Sequence, residues 1–262
     1  MPLNRRNFIV TASALPLASL AHADVADLAD AINKAGRERM LSQRMAKSWL
    51  AHGMGVETEL ADRTLAASVT LFERQLGELR AFAPQPALRD ACDRLEAAWR
   101  PYRQLLSTPA PDPRQAAQVL AGADRVLALA QDGTVRFTAL ATRPTGRWVN
   151  VSGRQRMLSQ RLAALYFGSS WGVDTAAAQV EMAKASAEFV TAHAMLMAAA
   201  ETTPAIRERL QLAELQWAFF DGALRKLRPG VADREGMRNV FTTSERILEV
   251  MDDVTGDYAR LA

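Results

Sequence analysis

The segment Ile32 to Ala46 reads I-N-K-A-G-R-E-R-M-L-S-Q-R-M-A, and it returns at Val149 to Ala163 as V-N-V-S-G-R-Q-R-M-L-S-Q-R-L-A. A constant offset of 117 pairs Asn33 with Asn150, Gly36 with Gly153, Arg39 with Arg156, and Ser42-Gln43-Arg44 with Ser159-Gln160-Arg161. From Asn33 to Arg44, nine of twelve positions are identical. The same offset pairs Gly55-Val56 with Gly172-Val173 and Phe72 with Phe189, and a step to 118 pairs Pro86 with Pro204 and Trp99 with Trp217. The chain is a duplicated unit.

Wound at about 100° per residue, the first copy is an amphipathic helix with an anomaly. Val25, Leu28, Ile32, Ala35, Ala46 and Leu50 fall around Arg39, while Asp27, Asp30, Lys34, Arg37 and Glu38 fall opposite. Arg39 therefore sits in the middle of the apolar stripe. Arg156 repeats the placement, among Val149, Ser152, Ala163 and Phe167. An unpaired buried charge costs several kcal/mol or more, so each arginine needs a partner or a ligand. Arg37, Arg44, Arg154 and Arg161 point away from the stripe and read as solvated or surface-paired residues.

At 262 residues the chain has room for two units of ordinary domain size. It has nine Phe and three Tyr against an Ala-, Leu-, Arg- and Glu-rich background, which suits helices. The formal net charge is +3, with no Lys/Arg tract, so there is no electrostatic footprint for nucleic acid. The single cysteine, Cys92, has no partner for a disulfide and reads as a small buried hydrophobe. The three histidines are scattered, so neither metal nor other cofactor is expected. No nucleophile–base pair, paired carboxylates or phosphate loop is present, which argues against an enzyme.

Residues 1–23 read as an export signal. Arg5-Arg6-Asn7-Phe8-Ile9 is a twin-arginine pattern, followed by a short apolar run and the small-x-small site Ala21-His22-Ala23. Asn4 and Val10 depart from its usual flanks, and the general secretory route is the alternative. A mature chain beginning near Asp24 in a bacterial periplasm is expected, with no stable membrane insertion.

The rest divides into eight helical segments: about Val25–His52, Glu57–Ala83, Pro86–Leu106, Arg114–Ala141, Arg147–Trp171, Asp174–Glu201, Pro204–Leu227 and Val231–Leu261. Pro101 is expected to kink the third or split off its last turn, and Gly133 to interrupt the fourth weakly. Pro144-Thr145-Gly146 separates the units, 24–143 and 144–262. Short connections imply antiparallel neighbours, hence an all-α chain of two tandem up-down-up-down four-helix bundles. Trp99, Trp217, Phe219 and Phe220 read as core or seam anchors.

The repeated stretch resembles the P-box of nitrate and nitrite sensor kinases and the first helix of the PilJ-type domain of type IV pili methyl-accepting chemotaxis transducers. The family pattern, close to I-N-x-A-G-x-x-R-M-x-S-x-R, fits Ile32 through Arg44, while the second copy departs at Val151 and Ser152. The resemblance implies a periplasmic four-helix bundle that binds nitrate, or more weakly nitrite, between two first helices. The arginine before the motif's methionine clasps the anion from each side. Here those residues are Arg39 and Arg156, and both halves lie in one chain, which implies an internal pseudo-dimer. The transmembrane helix and cytoplasmic signalling domain usual in that family are not expected here.

The chemistry suits the reading. A guanidinium meets two oxygens of a planar oxyanion with parallel charge-assisted bonds, which an ammonium cannot. Two guanidiniums about 6 Å apart repel by roughly 3 kcal/mol at an effective dielectric near 20, and a monoanion between them replaces that repulsion with attraction. Gly36, Gly153, Ala35 and Ser152 are expected to let the two backbones approach. Asn33, Asn150, Ser42, Ser159, Gln43 and Gln160 are expected to finish the polar shell. Three alternatives stand beside this reading. The arginines form buried salt bridges within their own bundles, each P-box meets its own copy in a homodimer, or the chain is a helical interaction module that docks on a membrane sensor, chemotaxis or transport protein without binding an anion.

Overall fold

The computed structural model describes residues 25–108 and 111–262. The export-signal reading of residues 1–23 and the start near Asp24 lie outside them. The described residues form eight helices and no strand: α1 Leu28–Gly53, α2 Thr58–Phe82, α3 Pro86–Leu106, α4 Pro113–Thr138, α5 Thr145–Ser170, α6 Thr175–Ala198, α7 Pro204–Leu224 and α8 Arg234–Arg260. No helix among these residues is long and apolar enough to cross a membrane.

The helix ends follow local chemistry. Asp27 accepts from the Asp30 amide at 2.8 Å, and Thr203 accepts from that of Ile206 at 3.3 Å, satisfying amides the helix leaves free. Pro86, Pro113 and Pro204 occupy first turns, where the missing N–H costs nothing. After α1 and α5 the chain reverses through the same device: Gly55 and Gly172 at φ +68 and +84, then Glu57 and Asp174 at φ 48 and 34. Non-glycine residues are rare in that left-handed region, so the paired occurrence is a structural signature of the duplication.

Helices α1–α4 and α5–α8 each make a four-helix bundle, and the two join through α1 and α5, the most extensive helix pairing in the chain. These two helices run parallel, since Ile32 lies near Gly146 and Trp49 near Trp171. Helix α1 also touches α8, and α5 touches α4, so the internal pseudo-dimer shares one continuous apolar core. In each bundle the same ring pair is in contact: Phe72 tilted against Trp99 at 4.4 Å, and Phe189 stacked on Trp217 at 4.0 Å.

Several expectations change. Lys34 and Glu38, assigned to the solvent side of α1, are buried because α2 covers that side, and Lys34 pairs with Glu78 at 2.9 Å. Pro101 does not split off the last turn of α3, which continues to Leu106 with the proline on its exposed side. Helix α4 likewise continues through Gly133. Trp99 and Phe220 are core residues and Trp217 is half-buried, but Phe219 is 74% exposed and anchors nothing within the chain. The stripe on α7 that buries Phe220 turns Phe219 outward, as adjacent helical positions do not share a face. Cys92 is buried, and its thiol is pushed up to about 11 by burial, with Asp93 adding to the effect.

Trp49 is almost wholly buried and its ring lies 6.0 Å from Trp171 across the seam. Trp49→Ala is expected to cost about 3–5 kcal/mol. Because the core is shared, denaturant unfolding should shift as a single transition rather than splitting into two.

Candidate functional site

Arg39 and Arg156 are wholly buried, one on each side of the α1–α5 seam. Each reaches across it. Arg39 Nη2 donates to the Asn150 carbonyl at 3.2 Å, and Arg156 Nη2 donates to the Asn33 carbonyl at 3.2 Å and to Asn33 Oδ1 at 2.9 Å. The two guanidiniums lie over the same two glycines. A Cβ on Gly36 would come within 3.1 Å of Arg39 Nη2 and 3.6 Å of Arg156 Nη2, and one on Gly153 within 3.1 Å and 3.5 Å of the same atoms in reverse order. The glycines were expected to admit the opposing backbone. The space they leave holds the guanidinium heads of both arginines.

The remaining donors turn to α4 and α8. Arg39 Nη1 donates to Gln131 Oε1 at 2.6 Å, and its Nε faces the Gly36 carbonyl at 3.5 Å. Arg156 Nη1 instead donates to Asp252. The expected alternative of a salt bridge within the bundle therefore holds for Arg156 alone: among the described residues, no carboxylate is paired with Arg39. Gln131 and Asp252 are equivalent positions. The segment D-R-V-L-A-L-A-Q-D-G-T at 124–134 aligns with E-R-I-L-E-V-M-D-D-V-T at 245–255, an offset of 121. Thr134 and Thr255 bond the carbonyl four residues back in the same manner. Three residues added between the anchors at an offset of 118 and this segment hid the match.

The four outward arginines are paired, as one of the two sequence readings had it. Arg37 meets Asp252 at 2.8 Å, Arg44 meets Glu245, Arg154 meets Glu188 and Arg161 meets Asp124. Three of these pairs cross between the units. Around the seam, Arg37, Arg39, Arg154 and Arg156 thus share two carboxylates, Asp252 and Glu188. The local balance is positive. Burial, reinforced by Arg154 and Arg156, lowers the Arg39 guanidinium to about 9, and burial lowers that of Arg156 to about 10 despite Asp252. Both stay charged at neutral pH.

The other expected site residues divide. Asn33 is engaged on Arg156, while Asn150 presents its carbonyl to Arg39 and keeps a buried, unpartnered Oδ1. Ala35 is buried in the apolar cluster, and the Ser152 hydroxyl bonds the Trp148 and Val149 carbonyls. The Ser42 and Ser159 hydroxyls bond the carbonyls of Arg39 and Arg156, both at 2.8 Å. Gln43 turns to Asp124 and Gln160 to the Ser244 carbonyl. The serines thus bond their own helix and the glutamines fasten α1 and α5 to α4 and α8, so the structure brings together Arg39, Arg156, Gly36, Gly153, Asn33 and Asn150, joined by Gln131 and Asp252.

Two tandem helical bundles joined by their first helices, with a cationic cluster at the joint, make a duplicated helical module. The chain belongs to the PilJ family, described as type IV pili methyl-accepting chemotaxis transducer N-term, whose profile matches residues 24–125 and 142–234. No match emerged among curated proteins or solved structures.

One further buried group lies beside the seam. Glu38 is wholly buried with neither carboxylate oxygen hydrogen-bonded, and burial first, with Glu78 adding and Arg37 opposing, raises its carboxyl well above the ordinary range. Its equivalent, Gln155, donates to the Phe189 carbonyl at 2.9 Å. A carboxyl raised on folding contributes stability that is present below its unfolded value of 4.5 and lost as pH climbs towards the folded one. Glu38→Gln should therefore be more stable than the parent by about 1–3 kcal/mol at pH 7. The difference should shrink in denaturant melts as pH approaches 4.5.

Proposed function

We propose that the chain is an exported sensing protein that holds a small planar oxyanion, nitrate first and nitrite second, between Arg39 and Arg156. In this reading 24–143 and 144–262 are the two units, the protein acts in the periplasm, and no catalytic step is involved. The observation that carries it is the wholly buried Arg39 guanidinium answered only by neutral acceptors, with a second guanidinium over the same glycines. Membership of a chemotaxis-transducer sensing family supports it.

The mechanism follows from the donors. Arg39 Nη2 now donates to the Asn150 carbonyl of the opposite helix, and Arg156 Nη2 to the carbonyl and side-chain oxygen of Asn33. An anion between the two would accept charge-assisted bonds from both, which are stronger than those to neutral carbonyls. It would also cancel the repulsion that burial intensifies. Its contacts come from both units, so occupancy is coupled to how α1 and α5 sit against one another.

Thermal unfolding of the chain with nitrate, nitrite, chloride, sulfate and formate tests this. At about 100 times its dissociation constant a ligand adds roughly 2.7 kcal/mol, a shift of several degrees. Nitrate should give the largest shift, and Arg39→Ala or Arg156→Ala should abolish it. Gln131→Glu supplies the carboxylate that Asp252 supplies to Arg156, so it should raise the unliganded melting temperature and remove the nitrate response. If no anion shifts the transition while the arginine variants are destabilised, the arginines are structural and the interaction-module reading replaces this one.

A further inference from the structure

We propose that α7 is a self-association surface through which two copies of the chain pair antiparallel about a two-fold axis. Phe219, 74% exposed, does not stand alone: Leu215 is 62% and Leu212 45% exposed on the same helix. With Glu208 and Gly222 on the helix and Lys226 in the turn two residues past its end, all exposed, they fall at steps of four, three, four, three and four residues. That is the spacing of one helix–helix seam.

The sister unit provides an internal comparison. At the offset that pairs Trp99 with Trp217, the three apolar positions correspond to Arg94, Ala97 and Pro101 on α3. There Arg94 is ion-paired to Asp132 at 3.0 Å, and the face is ordinary solvated surface. The fold therefore does not need an apolar stripe at this position. It is a property of the second unit alone.

Charge selects the occupant and its direction. In an antiparallel pairing centred at residue 217, Leu215 meets Phe219 of the second copy and Leu212 fills the space over Gly222, where an added Cβ would meet nothing within 4 Å. Glu208 then lies opposite Lys226, and among the described residues neither has an ion pair within the chain. A parallel pairing would set Glu208 against Glu208 and Lys226 against Lys226, which like-charge repulsion disfavours. The same patch on both copies, complementary to itself, is what a closed two-fold dimer requires.

Sedimentation of the full chain tests the proposal. The parent should dimerise with a micromolar dissociation constant. Phe219→Glu, with its helical circular dichroism unchanged, should weaken dimerisation at least about thirtyfold. Arg39→Ala should leave it unchanged, which separates this interface from pairing through α1. Glu208→Lys and Lys226→Glu should each weaken association, and the double variant should recover it. A parent chain that stays monomeric into the high micromolar range overturns the proposal, including where the stripe serves a different partner. A double variant no better than the single ones overturns the antiparallel register.

Discussion

Two guanidiniums withdrawn from water between parallel helices set the terms for the rest of this structure. Isolated, each would cost several kcal/mol to bury. The chain meets that cost with groups from four helices: the Asn33 and Asn150 carbonyls from the opposite partner, Gln131 from α4 and Asp252 from α8. Glycine at 36 and 153 is a consequence, because a methyl group at either position would crowd the guanidinium of the arginine three residues on, at 3.1 Å, and touch the other. So is the burial of α1 and α5 on nearly every side. A site that draws its acceptors from both units requires the first helices in the middle, with α2, α3, α6 and α7 left outside.

Duplication within one chain permits something a homodimer cannot have, namely different residues at symmetric positions. The first unit has Gln131 where the second has Asp252, and Glu38 where the second has Gln155. It also has Lys47, wholly buried and 2.5 Å from Glu245, where the second has Ala164. Each exchange changes the charge beside the seam without changing the backbone. Arg39 and Arg156 thus keep the same position and orientation while one faces a neutral amide and the other a carboxylate. Symmetric geometry is combined with asymmetric electrostatics.

What the sequence made legible was the part governed by period and repetition. Identity at an offset of 117 gave the duplication, and an arginine centred in an apolar stripe marked Arg39 and Arg156; placing α1 against α5 came from the family resemblance, with a homodimer left open beside it. The limits had physical causes. A single helical wheel assumes one buried face, and α1 has neighbours on almost all sides, so Lys34 and Glu38 were assigned to water. Ser42, Gln43, Ser159 and Gln160 lie close in sequence to the arginines, but a helix turns them towards carbonyls and carboxylates of their own bundle or onto its own backbone. Gln131 and Asp252 are distant in sequence and shifted in offset by loop-length differences, although the D-R-V-L and E-R-I-L segments carried the signal. Phe219 shows the converse problem: an aromatic beside a core aromatic on a helix is, by periodicity, a candidate for the surface.

The ion pairs that cross between units bear on how occupancy of the seam could be read elsewhere. Arg44 with Glu245 and Arg161 with Asp124 lie five residues beyond Arg39 and Arg156, about 7.5 Å further along the helices. Each ties one first helix to the last helix of the other unit. A ligand that drew α1 and α5 together at the arginines would therefore load both ties, because neither helix can move relative to its partner without moving relative to the partner's bundle. The outer helices pack mainly within their own units, although Glu57 at the start of α2 pairs with Arg238 of α8 at 2.6 Å, and they would largely be carried along. A change of a fraction of an ångström at the arginines would then emerge as a rotation of one bundle against the other, largest at the outer faces.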